Sequence, residues 1–424
     1  MNGGMDWARG ENTRPQPLSR TLARQGWLGR SVVATGGRHP TLRVMTTRKT
    51  STRRAPADPV RFAVIGQGHF AQSAILPAFA NARACELTAL FSDDATKLRA
   101  LKKKYDVEYA LPYDQLSEFL ASGAVDAVYI AVPNDMHAAF AETAAGAGVH
   151  VLCEKPIAAS SAQAERMIAA CERGGVKLMI AYRLHFEEAN LSAMELVRSG
   201  KIGEPRFFSA IFSQQVTPDN TRTQGVHAGG PLRDIGIYCI NAARSLFRDE
   251  PTEAVAVSAT RAGDARFREV PEQVGALLRF PGDRLAQLTC SFGAYKQSAF
   301  TVVGTKGILR LSPAFNMSDL VLEVEVDGKS KQRKFKKRDQ VAPELDELAA
   351  CILEDRDPQP SGREGLADLR VIEALEASAR TRGRVEVGRV FPERRPSIGQ
   401  ARRRPPHGRA ETINVRSPSQ QKSS

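Results

Sequence analysis

Val60-Arg61-Phe62-Ala63-Val64-Ile65-Gly66-Gln67-Gly68-His69-Phe70-Ala71 is the stretch that decides the fold. An apolar run of strand length ends in Gly66-x-Gly68-x-x-Ala71, and residues 71–79 read as the helix that follows. Each small residue has its own task. Gly66 makes the tight turn, Gly68 lets backbone approach a pyrophosphate, and Ala71 allows close packing of helix on strand. The helix N-terminus then presents its N–H groups and positive dipole end to the phosphates. The loop, with His69 and Phe70 completing it, is read as a dinucleotide site.

Outward from this turn, a second strand is expected over 86–91. Its end is where an adenine ribose would be read, and it continues Ser92-Asp93-Asp94 with Lys97 on the next helix. A hydroxyl at Ser92 and a cation at Lys97 suit a ribose 2′-phosphate, hence NADP. Asp93 is the counter-argument, because a carboxylate there would hold a 2′-hydroxyl and favour NAD. A plainer reading makes Ser92 a helix cap and Lys97 a solvated residue. NADP is preferred, with NAD the alternative.

Strands then alternate with helices. A short strand is expected over 107–110, a helix over 113–121, and a fully covered strand over 127–132, which is apolar throughout. It runs into Pro133-Asn134 and the helix containing His137. The next strand, 149–153, ends in Glu154-Lys155-Pro156. Such alternation makes a doubly wound parallel sheet, an α/β Rossmann fold. Ligands bind beyond the carboxyl ends of its strands. Asn134 and Lys155 are therefore site candidates by position, and Pro133 and Glu154 beside them are read as cofactor-binding. His137 is read as a cofactor-side residue that caps or packs rather than reacts.

From 207 onward the pattern changes to strands punctuated by turns: 207–216, 254–259, 274–280, 285–292, 299–303 and 320–326. A mostly antiparallel open sheet in a C-terminal α+β domain is expected, closed by helices over 343–354 and 362–381. The implied divisions are a basic extension (1–58), a dinucleotide-binding domain (59–180), a substrate and oligomerisation domain (181–387) and a basic tail (388–424).

The 424 residues carry a formal charge of +13, with 42% hydrophobic and 25% charged residues. That composition excludes a wholly disordered chain. The charge is confined to the ends. Residues 1–58 hold ten arginines and Lys49 against Asp6, Glu11 and Asp58, while 388–424 hold nine basic residues against Glu393 and Glu411. The segment between them carries −2. Both ends are rich in Arg, Pro, Ser and Gly without a sustained apolar period, so both are expected to lack fixed structure. Transit-peptide and twin-arginine readings of the first end fail for want of an apolar segment or cleavage site. A start at Met45 is an equally plain reading. Nucleic-acid binding is not expected, because no aromatics interleave the arginines. No apolar run nears the ~20 residues of a membrane span. Six scattered cysteines without CxxC spacing suggest free thiols, no metal site and a cytoplasmic protein.

The order Gly66-x-Gly68-x-x-Ala71, Val132-Pro133-Asn134-Asp135-Met136-His137 and Glu154-Lys155-Pro156 resembles the Gfo/Idh/MocA oxidoreductase family. Gly229-Gly230-Pro231-Leu232-Arg233-Asp234-Ile235-Gly236-Ile237-Tyr238 is similar to its D-x-G-x-H segment. Tyr238 stands where most members have His. That departure, with Ala181-Tyr182-Arg183-Leu184-His185-Phe186-Glu187, resembles the branch of glucose–fructose oxidoreductase and dimeric dihydrodiol dehydrogenase. The resemblance spans about 60–387. It implies hydride transfer between a nicotinamide and a sugar, polyol or cyclic diol, and a homodimer or homotetramer formed through the C-terminal sheet.

Hydride transfer at a carbinol carbon needs a group that exchanges the hydroxyl proton. Asp234 and Tyr238 are spaced to share one helix face. An unperturbed tyrosine titrates near ~10, and a nearby ammonium lowers that value. Tyr238 is therefore assigned as acid/base, Lys155 as its tuner and substrate-hydroxyl donor, and Asp234 as an orienter of the substrate. Arg183 is read either as a contact to substrate or cofactor or as half of an internal ion pair. By position alone, Lys155 reads equally as a turn lysine and Tyr238 as a core residue. The same fold also serves non-catalytic dinucleotide or sugar sensors; retention of Lys155, Asp234 and Tyr238 favours an enzyme.

Overall fold

The computed structural model describes residues 58–408 and 410–419. The extension expected over 1–58 lies outside the described residues but for Asp58. Six strands form a wholly parallel sheet: β1 (Val60–Ile65), β2 (Cys85–Phe91), β3 (Tyr109–Leu111), β4 (Ala127–Ile130), β5 (His150–Glu154) and β6 (Leu178–Ala181). Their spatial order is β3-β2-β1-β4-β5-β6. The chain reverses direction across the sheet between β1 and β4, and a crevice opens there beyond the strand ends. The apolar runs are the reason these segments are strands. All four residues of β4 are buried, because helices cover both faces of the sheet.

Caps fix the helix starts. Asp94 accepts from the Lys97 N–H at 2.9 Å to begin the helix Ala95–Tyr105, and Ser160 accepts from the Gln163 N–H at 3.3 Å before Ser161–Gly174. The helix after the glycine turn differs from expectation. It opens as a wider π-type turn, Ala71–Ile75, before Leu76–Ala78.

The second sheet has nine strands: β7 (Pro205–Ser213), β8 (Glu253–Ala259), β9 (Gln273–Phe280), β10 (Arg284–Ser291), β11 (Gln297–Gly304), β12 (Gly307–Leu311), β13 (Val321–Val326), β14 (Lys329–Lys334) and β15 (Val385–Glu386). Their order is β14-β13-β12-β11-β7-β10-β9-β8-β15, and only β7 and β10 pair in parallel. The sheet is larger than expected: β12, β14 and β15 escaped notice because they are short or wholly polar. Its inner face carries Phe208, Phe212 and Phe300, which pack with Phe247, Phe315 and the ring of Tyr238. The helix Ile237–Phe247 lies on this face and buries every residue except Tyr238.

The C-terminal tail departs from the expectation of no fixed structure. Arg402 pairs with Glu347, Arg403 with Glu188, Arg404 with Asp346 and Arg395 with Glu250. Its arginines meet carboxylates presented by the folded body, and these contacts fix a segment that buries little apolar surface. No helix of the described residues is long and apolar enough to cross a membrane. All six cysteines are free, and no group of metal-ligating side chains occurs among the described residues.

Candidate active site

A cleft of about 630 Å³ runs along the carboxyl ends of β1, β2, β4 and β5 and extends under the loops that follow β7. Gly66, at its floor, has φ +96°, and a Cβ there would stand 2.5 Å from the Ala131 carbonyl oxygen. Only glycine fits that turn. Gly68 faces open space, with no atom within 4 Å of where its Cβ would be. Gln67 Oε1 lines the same floor, buried and without a partner among the described residues. An open approach to backbone, a helix start and an unfilled acceptor fit a bound dinucleotide.

At one end of the cleft lie Ser92, Asp93, Lys97 and Tyr113. Asp94, not Ser92, caps the helix; the Ser92 hydroxyl instead accepts from the Asp94 N–H at 3.2 Å. Lys97 Nζ is 3.6 Å from the Asp94 carboxylate and remains on the cleft wall. Burial, with Asp93 adding to it, pushes the Tyr113 phenol up to about 12, so it stays a neutral donor.

At the other end the expected trio converges. Lys155 Nζ donates to the Asp234 carbonyl at 2.8 Å and to Asp234 Oδ1 at 3.1 Å, and lies 4.9 Å from the centroid of the Tyr238 ring. Asp234 Oδ2 accepts from Arg222 Nε at 2.8 Å. Burial works against the Lys155 ammonium, but Tyr238, Asp234 and Glu154 outweigh it and hold its value above the ordinary one. Burial likewise opposes the Asp234 carboxylate, yet Arg222 and Lys155 keep it below its usual range. Glu154 shows the reverse balance. Burial pushes its carboxyl up despite Lys155 and the Tyr129 hydroxyl, which donates to it at 2.8 Å.

Asp234 sits in a π-type turn, Leu232–Gly236, that leads directly into Ile237–Phe247. The wider turn keeps Asp234 and Tyr238 on one side of the run, where both reach the cleft.

The loop residues Gly66, Gly68, His69, Phe70 and Ala71, together with Pro133, Asn134, Glu154, Lys155, Arg183, Asp234 and Tyr238, all line the cleft. His137 does not. Its ring is fully buried between the carbonyls of Val132 and Pro156, at 3.0 and 2.9 Å, where it ties the ends of β4 and β5 together. Arg183 has no ion pair among the described residues; its guanidinium donates to Gln340 Oε1 and to the Phe315 carbonyl, 5.0 Å from the Tyr238 ring centroid. The substrate-orienting role expected of Asp234 meets a carboxylate already holding Lys155 and Arg222. His185 is buried on Asn241 and Gln359, away from the cleft, whereas His227 reaches it and pairs with Asp135 at 2.9 Å. Arg222, Tyr113 and Phe212 were missed. None stands in a motif, and Arg222 lies in a loop whose only sequence mark is polarity.

A parallel doubly wound domain with a glycine-turn cleft ending on a lysine, an aspartate and a tyrosine defines a dinucleotide-dependent oxidoreductase. The family model for the oxidoreductase family with NAD-binding Rossmann fold (Gfo/Idh/MocA) matches residues 60–182, and the Gfo/Idh/MocA C-terminal domain matches 191–310. The chain belongs to the Gfo/Idh/MocA oxidoreductase family. It is 37% identical over 343 residues to a D-xylose 1-dehydrogenase [NADP(+)] of Haloarcula marismortui, covering 78% of this chain and 94% of that one. It is 28% identical over 241 residues to a trans-1,2-dihydrobenzene-1,2-diol dehydrogenase of Bos taurus, covering 57% and 70% respectively. Among solved structures it resembles the aldose-aldose oxidoreductase of Caulobacter crescentus complexed with glycerol, with a TM-score of 0.75 and 35% identity over 78% of this chain and all of that one. A 3-ketoreductase of Actinomadura kijaniata in complex with NADP superposes with a TM-score of 0.67 at 28% identity, over 76% and 98% of the two chains.

Proposed function

We propose that this protein oxidises a hydroxyl-bearing carbon of an aldose-like sugar, or reduces the corresponding carbonyl, with NADP as its nicotinamide partner. The observation that carries this reading is the meeting of Lys155, Asp234 and Tyr238 at one end of the glycine-turn cleft. The nicotinamide, when bound, supplies the hydride acceptor or donor. The protein's own residues handle the hydroxyl. Lys155 is held as an ammonium, so it donates to the substrate oxygen and cannot serve as the base. The proton lost from that oxygen passes to Tyr238 Oη as the tyrosine's own proton leaves into the cleft; Lys155 and Arg183 lie 4.9 and 5.0 Å from the centre of its ring. Asp234 positions Lys155 and Arg222 through one oxygen each.

Ser92 and Lys97 at the ribose end support NADP over NAD, and relatives bearing NADP in their names support the same choice. The sugar assignment is supported by the xylose and aldose enzymes among the relatives. A homodimer or homotetramer is proposed through the outer face of the nine-stranded sheet, where Val255, Val257, Leu277 and Leu285 are exposed. A cytoplasmic location is proposed from the free cysteines.

The full chain should reduce NADP⁺ when offered aldoses and cyclic diols, faster than it reduces NAD⁺, with an aldose as the best substrate. Tight NADPH binding with no turnover on any sugar or diol would overturn the enzyme reading in favour of a sensor.

A further inference from the structure

Residues 413–419 take no part in the chemistry above and lie beyond both family matches, yet they are bonded to residues that adjoin both sides of the cleft lining: Gln72 and Asp94 next to Ala71 and Asp93, and Asn220 next to Thr221. On the nucleotide side, Ile413 N–H donates to Gln72 Oε1 at 2.6 Å, and Gln72 Nε2 donates back to the Ile413 carbonyl at 2.9 Å. Gln72 is fully buried, follows Ala71 directly and also donates to the Gln67 carbonyl, so this anchor is rigid. Next to it, Asn414 Nδ2 donates to Asp94 Oδ2 at 3.0 Å; that carboxylate caps the helix carrying Lys97.

On the substrate side, the Pro418 carbonyl accepts from the Thr217 N–H at 3.1 Å and from Asn220 Nδ2 at 3.4 Å, and Ser419 pairs with Val216. Asn220 Oδ1 in turn accepts from the N–H of Arg222, the residue that holds Asp234. The step from Asn414 to Pro418 spans about 14 Å at full extension, so a short strap joins these two sets of anchors beside the cleft. Upstream, the pairs from Arg402, Arg403 and Arg404 fix its approach.

We propose that residues 413–419 form a strap that closes the adenosine end of the cleft, and that the dinucleotide leaves only after the strap lifts. The proposal rests on the reading of the cleft as an NADP site. Because the strap touches neither Lys155 nor Tyr238, it sets the rate of cofactor exchange and leaves the chemical step alone. Among the described residues five hydrogen bonds hold it, and losing two or three of them is worth about tenfold or more in its open population.

The test compares the full chain with Ile413→Pro/Asn414→Ala and with a chain ending at Gly408. Ile413→Pro removes the N–H bound by Gln72, and the double substitution keeps the question answerable if the shortened chain does not fold. NADPH release is followed by fluorescence after displacement with excess NADP⁺, and hydride transfer by single turnover on preloaded enzyme. The expected result is release about tenfold faster or more, with an unchanged single-turnover rate. Release at the wild-type rate, or a fall in the single-turnover rate matching the change in release, overturns the strap. Absence of NADPH binding by the unaltered chain overturns instead the reading of the cleft on which the strap depends.

Discussion

One continuous helical run, Leu232–Gly236 followed by Ile237–Phe247, carries two ion clusters of similar chemistry and opposite surroundings. Near its start, Asp234 holds Lys155 and Arg222 beside an open cleft. Near its end, Arg244 is wholly buried and pairs with Glu250 at 2.6 Å, Glu364 at 2.7 Å and Asp368 at 2.5 Å. Asn241 donates to both Glu364 and Asp368 from the same helix. The first cluster leaves cations facing a cavity, where a substrate oxygen can join them. The second fills every direction around its guanidinium with protein, and nothing can enter. Solvent access, more than residue type, separates the two clusters. The buried cluster clamps the helix Ile237–Phe247 to Gly362–Thr381.

The largest effect should come from breaking the brace. Arg244→Met leaves the buried Glu364 and Asp368 without their cation, with Arg395 still on Glu250, and should cost about 3–5 kcal/mol, read as a lower denaturation midpoint. The fraction that stays folded should still turn over. Replacing Lys155 with Met attacks the other cluster and should show the opposite pattern. Turnover should fall about 10²–10³-fold, the scale of a lost charge-stabilising donor, with little change in thermal midpoint. Equal loss of stability in both variants would erase the distinction between the clusters.

That distinction was only half legible in the sequence. The glycine turn, the parallel strands and Glu154-Lys155-Pro156 were readable because their signals are local: a spacing, an apolar run, a strand end. Asp234 and Tyr238 were readable through a motif. Arg222 was not, since its partner is set by how the loop after β7 folds back over the cleft. His137, read as a cofactor-side residue that caps or packs, does pack, but away from the cleft: a helix start can turn a side chain inward as readily as outward, and here two backbone carbonyls hold it. The basic tail was expected to lack structure because composition counts its arginines without showing which carboxylates face them. Glu188, Asp346 and Glu347 do, from helices more than fifty residues upstream.

Smaller effects sharpen the comparison at the edges of the cleft. Lys97→Ala should raise KM for NADP⁺ about tenfold and leave that for NAD⁺ nearly unchanged, the size of one charge-assisted contact to a phosphate. A parallel rise for both cofactors would remove Lys97 from the 2′-phosphate. The smallest effect concerns the tail. Burial opposes ionisation of Glu347, but Arg356 and Arg402 outweigh it and hold its carboxyl below the ordinary 4.5. A carboxylate depressed in the folded state stabilises above its unfolded value, and that stabilisation is lost as pH falls through the folded one. Hydrogen-exchange protection of 395–419 should therefore be flat above about pH 5 and fall below about pH 4. A loss of protection between pH 6 and 8 would mean other groups hold the tail.

The most direct measurement compares Tyr238→Phe with the unaltered chain in single turnover on NADP⁺-loaded protein and an aldose. The substitution removes only the hydroxyl and leaves the ring packed on Phe212 and Phe315. The account expects hydride transfer slowed by about 10²-fold or more, with NADPH affinity and thermal midpoint unchanged. Hydride transfer at the unaltered rate would contradict it and move the proton to another group.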